Sequence, residues 1–292
     1  MRKFALITNF NIPEKAEAAK RVADEIFAAG GEILIASFNR ERLERIGTQD
    51  ERIVYLPLES VYAEAEAIIV LGGDGTILES ARRAASRGTP ILGINLGRLG
   101  FMAELEQTEL QFLPRLLTDD FSLETRSMLR VELLSERGEV RSLCHALNDA
   151  TISNGSVSRI IDLSLSENGS PVTAYRADGL IVATPTGSTA YSMSAGGAIV
   201  DPSVPCFCVT PICPHSFAAR PLIFSDSSVL EIKNTCVREK MLYLTVDGKM
   251  NFELYRNQVV RITKSNLETK LIRFKTSGFY QKLCRKMREA HF

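Results

Sequence analysis

Ala67-Ile68-Ile69-Val70-Leu71-Gly72-Gly73-Asp74-Gly75-Thr76 is the stretch that decides the fold of the first half of this 292-residue chain. Five consecutive apolar residues have no polar face, so they suit a strand covered on both sides, as in a parallel sheet. Glycines then turn the chain, and the helical spacing of residues 76–87, closed at Gly88, predicts a helix directly after. Working outward, residues 4–8 read as a strand and 14–29 as an alanine-rich helix stopped by Gly30-Gly31. Residues 32–38 and 90–95 read as further strands. Strands alternating with helices predict βαβ units and a mostly parallel sheet.

Near Phe121 the rhythm changes. Alternating strands over 128–134 and 140–153 flank Glu136-Arg137-Gly138-Glu139, a hairpin turn. Asn168-Gly169 and Asp247-Gly248 each separate two short alternating runs, and both dipeptides are strong hairpin signals. The second half is therefore expected to be antiparallel β, joined to the first by a short connection at 119–125. Two abutting domains with a cleft between them follow from so short a join. Residues 281–288 read as a terminal helix with Lys282, Arg285 and Lys286 on one side, a face expected to be simply solvated.

The charge balance, 35 Lys+Arg against 35 Asp+Glu, argues against a protein that holds nucleic acid by neutralising phosphates. No apolar stretch reaches the length of a secretory signal or a membrane span, so a cytoplasmic protein with no membrane partner is expected. Cys206, Cys208 and Cys213 with His215 could make a zinc site. Strand-like alternation at 206–209 and the interrupting Pro211 and Pro214 favour buried thiols instead.

Three constellations carry chemistry. In the first, Gly72, Gly73, Gly75 and Thr76 form a turn whose amides and helix N-terminus favour an anion. Thr76 and Glu79 read as a capping pair. Asp74 is repelled by a phosphate unless it takes a proton, holds a ribose or binds a magnesium ion. The turn is neither a P-loop nor a Gly-x-Gly-x-x-Gly fingerprint. In the second, Asp178-Gly179-Leu180-Ile181-Val182-Ala183-Thr184-Pro185-Thr186-Gly187-Ser188-Thr189-Ala190-Tyr191-Ser192 runs from a strand into a loop of small hydroxyl residues. Such a loop offers neutral donors and acceptors to a polyhydroxylated, phosphorylated ligand. In the third, Asn148-Asp149 interrupts an apolar strand. The pair suits an adenine edge or a ribose, or else it marks a bulge or exposed edge.

Together these elements resemble the NAD kinase family. The 72–76 loop is shared with phosphofructokinases and with diacylglycerol and sphingosine kinases; the segment 178–191 joined to Gly196-Gly197 is far more distinctive. Gly93-Ile94-Asn95, Gly97, Leu99, Gly100 and Phe101 also resemble the family's pattern. So do Pro211-Ile212-Cys213-Pro214-His215 and Ala219-Arg220-Pro221-Leu222. The resemblance covers roughly residues 67–248.

It implies an α/β domain over 1–123, to which 267–292 returns, and a β-rich NAD-binding domain over 124–266, with the active site in the cleft. It also implies transfer of a phosphoryl group from ATP, or polyphosphate, to the 2′-hydroxyl of the adenosine ribose of NAD, with a divalent metal ion, Mg2+. By the same resemblance Asp74 is the proton acceptor and Gly75 its NAD-binding neighbour. Asn148 and Asp149 lie at the adenosine part, with Asp at 149 where many members have Glu. Asp178, Thr189, Ala190, Tyr191, Ser192, Met193 and Ser194 make further dinucleotide contacts, and Arg159 and Arg176 match positions often basic. A homodimer or homotetramer is expected. The rival readings are a lipid or sugar kinase sharing the loop, and a non-catalytic dinucleotide-binding protein on the same scaffold.

Overall fold

The computed structural model describes residues 1–45, 50–97, 100–155, 159–216, 219–237, 241–275 and 278–289. Leu99, part of the family-like pattern, lies outside them. The chain divides into two compact units: Met1–Thr125 with Thr269–Phe292, and Arg126–Glu268. No helix among the described residues is long and apolar enough to cross a membrane.

In the first unit Ala67–Leu71 is buried along its whole length. It pairs in parallel with Lys3–Ile7 on one side and Ile91–Asn95 on the other. Beyond Lys3–Ile7 lie Glu32–Ala36 and then Ile53–Leu56, again parallel. The parallel sheet expected from the alternating pattern is thus observed. Among the elements not expected are strand Ile53–Leu56 and helix Leu58–Glu64, which returns the chain to Ala67–Leu71. Ile91–Asn95 also meets Leu271, at the end of strand Val259–Arg273.

Helix Asp74–Ala84 buries Ile77, Ser80, Ala81 and Ala84, the i, i+3, i+4, i+7 stripe of a helix that covers a sheet. It starts two residues earlier than the spacing predicted. Gly73 is its N-cap and no side chain caps it, so the Thr76–Glu79 capping pair is not formed. Glu79 instead pairs with Arg82 at 2.6 Å and Arg83 at 2.8 Å. Two guanidiniums one turn away outcompete a single backbone amide for its carboxylate.

The second unit is antiparallel, as expected. A six-stranded sheet runs in the order Leu222–Ser225, Cys206–Ile212, Gly179–Ala183, Asp149–Ser153, Met241–Val246, Met250–Tyr255. Ile161–Glu167 pairs with Ser170–Ala177 across the Asn168-Gly169 hairpin and with Leu230–Asn234 on its other side. Alternate apolar residues of these strands and of the six-stranded sheet, Leu163, Ile232, Ile152, Leu180 and Val209 among them, fill one core. Asp247-Gly248 turns the hairpin between Met241–Val246 and Met250–Tyr255. The expected continuous strand over 140–153 is in fact two. Val140–Ala146 pairs with Ser122–Leu134, and Asp149–Ser153 belongs to the six-stranded sheet. The chain changes sheets at Leu147-Asn148. Residues 146–152 are buried without interruption, so no change of period marks the step.

Candidate active site

Strand order in the first unit reverses between Lys3–Ile7 and Ala67–Leu71: one neighbour leads back to residues 32–36, the other forward to 91–95. In open α/β sheets ligands bind beyond the carboxyl ends of strands at such a reversal. Gly72-Gly73 leaves Ala67–Leu71 at that point, and the Thr8 hydroxyl donates to the Leu71 carbonyl at 2.9 Å, tying the two strand ends together. Gly73 and Gly75 are exposed, with open space where a side chain would project. The first amides of the helix lie outside its own hydrogen-bond ladder, and its dipole favours negative charge there.

Asp74 is the first helical residue and half-buried. Its carboxylate accepts from two backbone amides, Phe101 N–H at 2.9 Å and Met102 N–H at 3.1 Å. Gly100 makes this approach feasible, because a Cβ there would lie 2.2 Å from Asp74 Oδ1. The donor segment is itself clamped. Arg273 donates to the Met102 carbonyl at 2.9 Å, and the fully buried Glu104 carboxylate takes Lys282 at 3.0 Å and the amides of Phe274 and Lys275. Asp74 is therefore a fixed acceptor beside an open glycine turn.

Helix Phe279–Glu289 supplies part of that clamp, which corrects the expectation of a solvated basic face. Lys282 is bound to Glu104, Arg285 to Glu106 at 3.0 Å, and Lys286 sits over the Phe101 ring. The three cations on one side of the helix are legible in the sequence, but the acidic partners of Lys282 and Arg285 lie some 180 positions earlier.

In the second unit the structure brings together Asn148, Asp149, the 184–189 turn and a residue that sequence reading took only for a hairpin turn, Asp247. Its carboxylate accepts from the amides of Leu147 at 2.9 Å, Asn148 at 2.8 Å and Asp149 at 3.1 Å, the donors freed where the chain changes sheets. Asp247 adopts φ 48°, where asparagine or glycine would serve a turn equally well. Asp-Gly is an ordinary hairpin dipeptide, so the sequence carried no signal of this second task. Thr184 N–H donates to the Asn148 carbonyl at 2.9 Å, and a Cβ at Gly187 would lie 2.1 Å from that oxygen.

Asn148 and Asp149 are buried, at 8% and 7% exposure, so they are not an exposed edge. Burial, reinforced by the neighbouring Asp247 charge and opposed by a Thr151 hydrogen bond, pushes the Asp149 carboxyl up to about 6.

The hydroxyl loop is less available than its composition suggested. Ser188 donates to the Pro185 carbonyl, Thr189 to that of Thr186, Thr184 to that of Leu147, and Ser192 pairs with Thr210. These hydroxyls hold the turn's own backbone, as small polar side chains commonly do. What the turn presents outward is Tyr191, 47% exposed, and Met193, 37% exposed, flanked by half-buried Ala190 and exposed Ser194. Asp178 is half-buried at the start of Gly179–Ala183. Arg159 and Arg176 are exposed, Arg176 standing 4.0 Å from Asp162. Cys206 and Cys208 are buried in Cys206–Ile212, while Cys213 is exposed beyond its end.

Comparison with known proteins bears on both units. Residues 4–121 match the ATP-NAD kinase N-terminal domain and 147–274 the ATP-NAD kinase C-terminal domain. The NAD kinase of Citrifermentans bemidjiense is 36% identical over 289 residues, covering 99% of each chain. That of Carboxydothermus hydrogenoformans is 44% identical over 227 residues, 77% of this chain and 80% of the other. Among solved structures, yeast NADH kinase complexed with NADH superposes with a TM-score of 0.88 at 26% identity, over 99% of this chain and 87% of that one. An NAD kinase from Archaeoglobus fulgidus in complex with ATP gives 0.71 at 26% identity, over 99% of both chains. With both family domains matched and relatives aligned from end to end, this chain belongs to the NAD kinase family.

Proposed function

We propose that the chain transfers the terminal phosphoryl group of ATP to the 2′-hydroxyl of the adenosine ribose of NAD, giving NADP, with polyphosphate as the alternative donor. The observation that carries this reading is Asp74: a carboxylate fixed by two amides at the head of a helix, beside glycines with open space around them. Phosphoryl transfer asks a protein for position and charge neutralisation more than for covalent chemistry. Asp74 takes the proton of the 2′-hydroxyl as its oxygen bonds to the γ-phosphorus; the bond to the bridging oxygen breaks, and ADP leaves with that electron pair. In the turn at Gly72, Gly73, Gly75 and Thr76, the amides of Gly73 and Gly75 receive phosphate oxygens, while Gly72 N–H donates to the Ile94 carbonyl and Thr76 N–H to that of Gly73.

In the second unit Asn148 and Asp149 bind the adenosine part, held in place by Asp247. Asp178, Thr189, Ala190, Tyr191, Ser192, Met193 and Ser194 line the dinucleotide. Of these, Tyr191 and Met193 offer apolar surface, and the buried Ser192 acts through its bond to Thr210. Arg159 and Arg176 offer positive charge to its pyrophosphate.

Among the described residues no three ligating side chains converge on a metal site. Mg2+ takes one or two carboxylates plus substrate phosphates and keeps several waters, so the donor phosphates would supply much of its coordination. When bound, the ion offsets the charge of the donor phosphates. The family reading carries with it a cytoplasmic homodimer or homotetramer.

Incubation with NAD, ATP and Mg2+ should yield NADP phosphorylated at the adenosine 2′ position; no product with ATP or polyphosphate overturns the proposal. Gly100→Ala tests the geometry. A methyl group at 2.2 Å from Asp74 Oδ1 must displace the carboxylate by about an ångström, and a misplacement of that size costs about a hundredfold in kcat. Steady-state turnover near wild type in Gly100→Ala would show that the position of Asp74 is not critical.

A further inference from the structure

Three cations of helix Phe279–Glu289 meet the segment that holds Asp74, and two are spoken for. Lys282 is bound to Glu104 and Arg285 to Glu106. Lys286, one turn beyond Lys282 on the same face, makes no ion pair among the described residues. Its ammonium lies 3.9 Å from the centroid of the Phe101 ring, and the backbone of Phe101 donates to Asp74. An ammonium on an aromatic face directs some of its three N–H bonds away from the ring, where they can meet an anion.

We propose that Lys286 is the cation that meets the phosphoryl group in transit, first as the terminal phosphate of the donor and then as the 2′-phosphate of NADP. This rests on the reading of Asp74 as the acceptor of the 2′-hydroxyl proton. The transferred group lands on the oxygen that Asp74 deprotonates, and Lys286 rests on the ring of the residue whose amide holds Asp74, with no carboxylate partner among the described residues to compete for it. The half-buried ammonium is consistent with the role. Burial lowers its pKa, the Asp74 charge works against that, and an arriving phosphate restores the partner that burial removed. A lysine serving only to staple the helix to Phe101 would be indifferent to whether the dinucleotide carries a 2′-phosphate.

The two roles separate on the ratio of dissociation constants for NADP and NAD, measured on the full chain. Lys286→Met retains length and contact with the aromatic ring while removing the charge. It is expected to weaken NADP by about 10–100-fold, the worth of a charge-assisted hydrogen bond to phosphate, and NAD by less than twofold. Lys286→Arg should restore most of the NADP affinity. Equal weakening of both ligands, or no change in either, overturns the proposal. Should Lys286→Met fold poorly, Lys286→Gln is judged by the same ratio. The outcome is separable from the underlying reading. Wild-type protein that forms no NADP refutes the function, whereas active protein with an unchanged ratio in the variant refutes only the assignment of Lys286.

Discussion

Asp74→Asn is expected to lower kcat by about 10²–10⁴, the range associated with loss of a general base. The substitution is nearly isosteric but not innocent. Both carboxylate oxygens of Asp74 accept backbone N–H groups, from Phe101 and Met102. An amide keeps one acceptor and sets its NH2 against the other donor, so one amide loses its partner at about 1–3 kcal/mol. A lower melting temperature is therefore expected alongside the kinetic loss, and stability must be measured in the same preparation. Asp74→Ala separates the two effects, because it removes the base without opposing donor to donor. If Asp74 accepts the hydroxyl proton, both variants lose kcat by similar factors. If it holds the ribose instead, KM for NAD rises by more than kcat falls. Near-normal turnover in either variant removes Asp74 from the chemistry.

Much of this arrangement was legible in the sequence because local rules and tertiary structure agree there. Five apolar residues at 67–71, too few for a buried helix and closed by glycines, suit a doubly covered strand, and the glycines after them need an explanation that packing does not supply. Asn168-Gly169 and Asp247-Gly248 turn hairpins as their dipeptides require. Most of the misreadings share a cause, a partner distant in sequence; Glu79 is the exception, with its competitors three and four residues on. Glu79 looked like a capping residue because Arg82 and Arg83 were not weighed as competitors, and Arg83 is further engaged by Glu59. Lys282 and Arg285 looked solvated because Glu104 and Glu106 reach them only through the fold. Strand Ile53–Leu56 is four residues long, has no alternation, and owes its existence to pairing with Glu32–Ala36. The hydroxyl-rich loop was read correctly as unusual but for an incomplete reason. Its hydroxyls shape the turn against Asn148, and the exposed surface falls to Tyr191 and Met193.

Asp149→Asn is expected to make the ligand-free protein more stable at pH 7.5, an unusual direction for a buried substitution at a binding site. Asp149 has a folded-state carboxyl pushed up to about 6, chiefly by burial and secondly by Asp247. In the unfolded chain an aspartate titrates near 3.9. Below about pH 4 the side chain is protonated in both states and carries no penalty. Between about 4 and 6 the folded protein holds a proton that the unfolded chain releases, so stability falls as pH rises. Above about 6 the charge is buried in full, and a gap of about two pKa units corresponds to roughly 3 kcal/mol. Asparagine avoids that cost, still accepts from the Thr151 hydroxyl, and offers an NH2 to the Asp247 carboxylate in place of a second negative charge. At roughly 2–4 °C per kcal/mol, the melting temperature at pH 7.5 should rise by about 5–10 °C, and the gain should vanish near pH 4. Binding should move the other way. A carboxylate accepts from a ligand on two oxygens and an amide on one, so NAD affinity should fall by about tenfold. A gain independent of pH would mean that packing, not charge burial, sets the difference. A wild type more stable than the variant at pH 7.5 would mean that Asp149 is held by favourable contacts and stores no cost for a ligand to relieve.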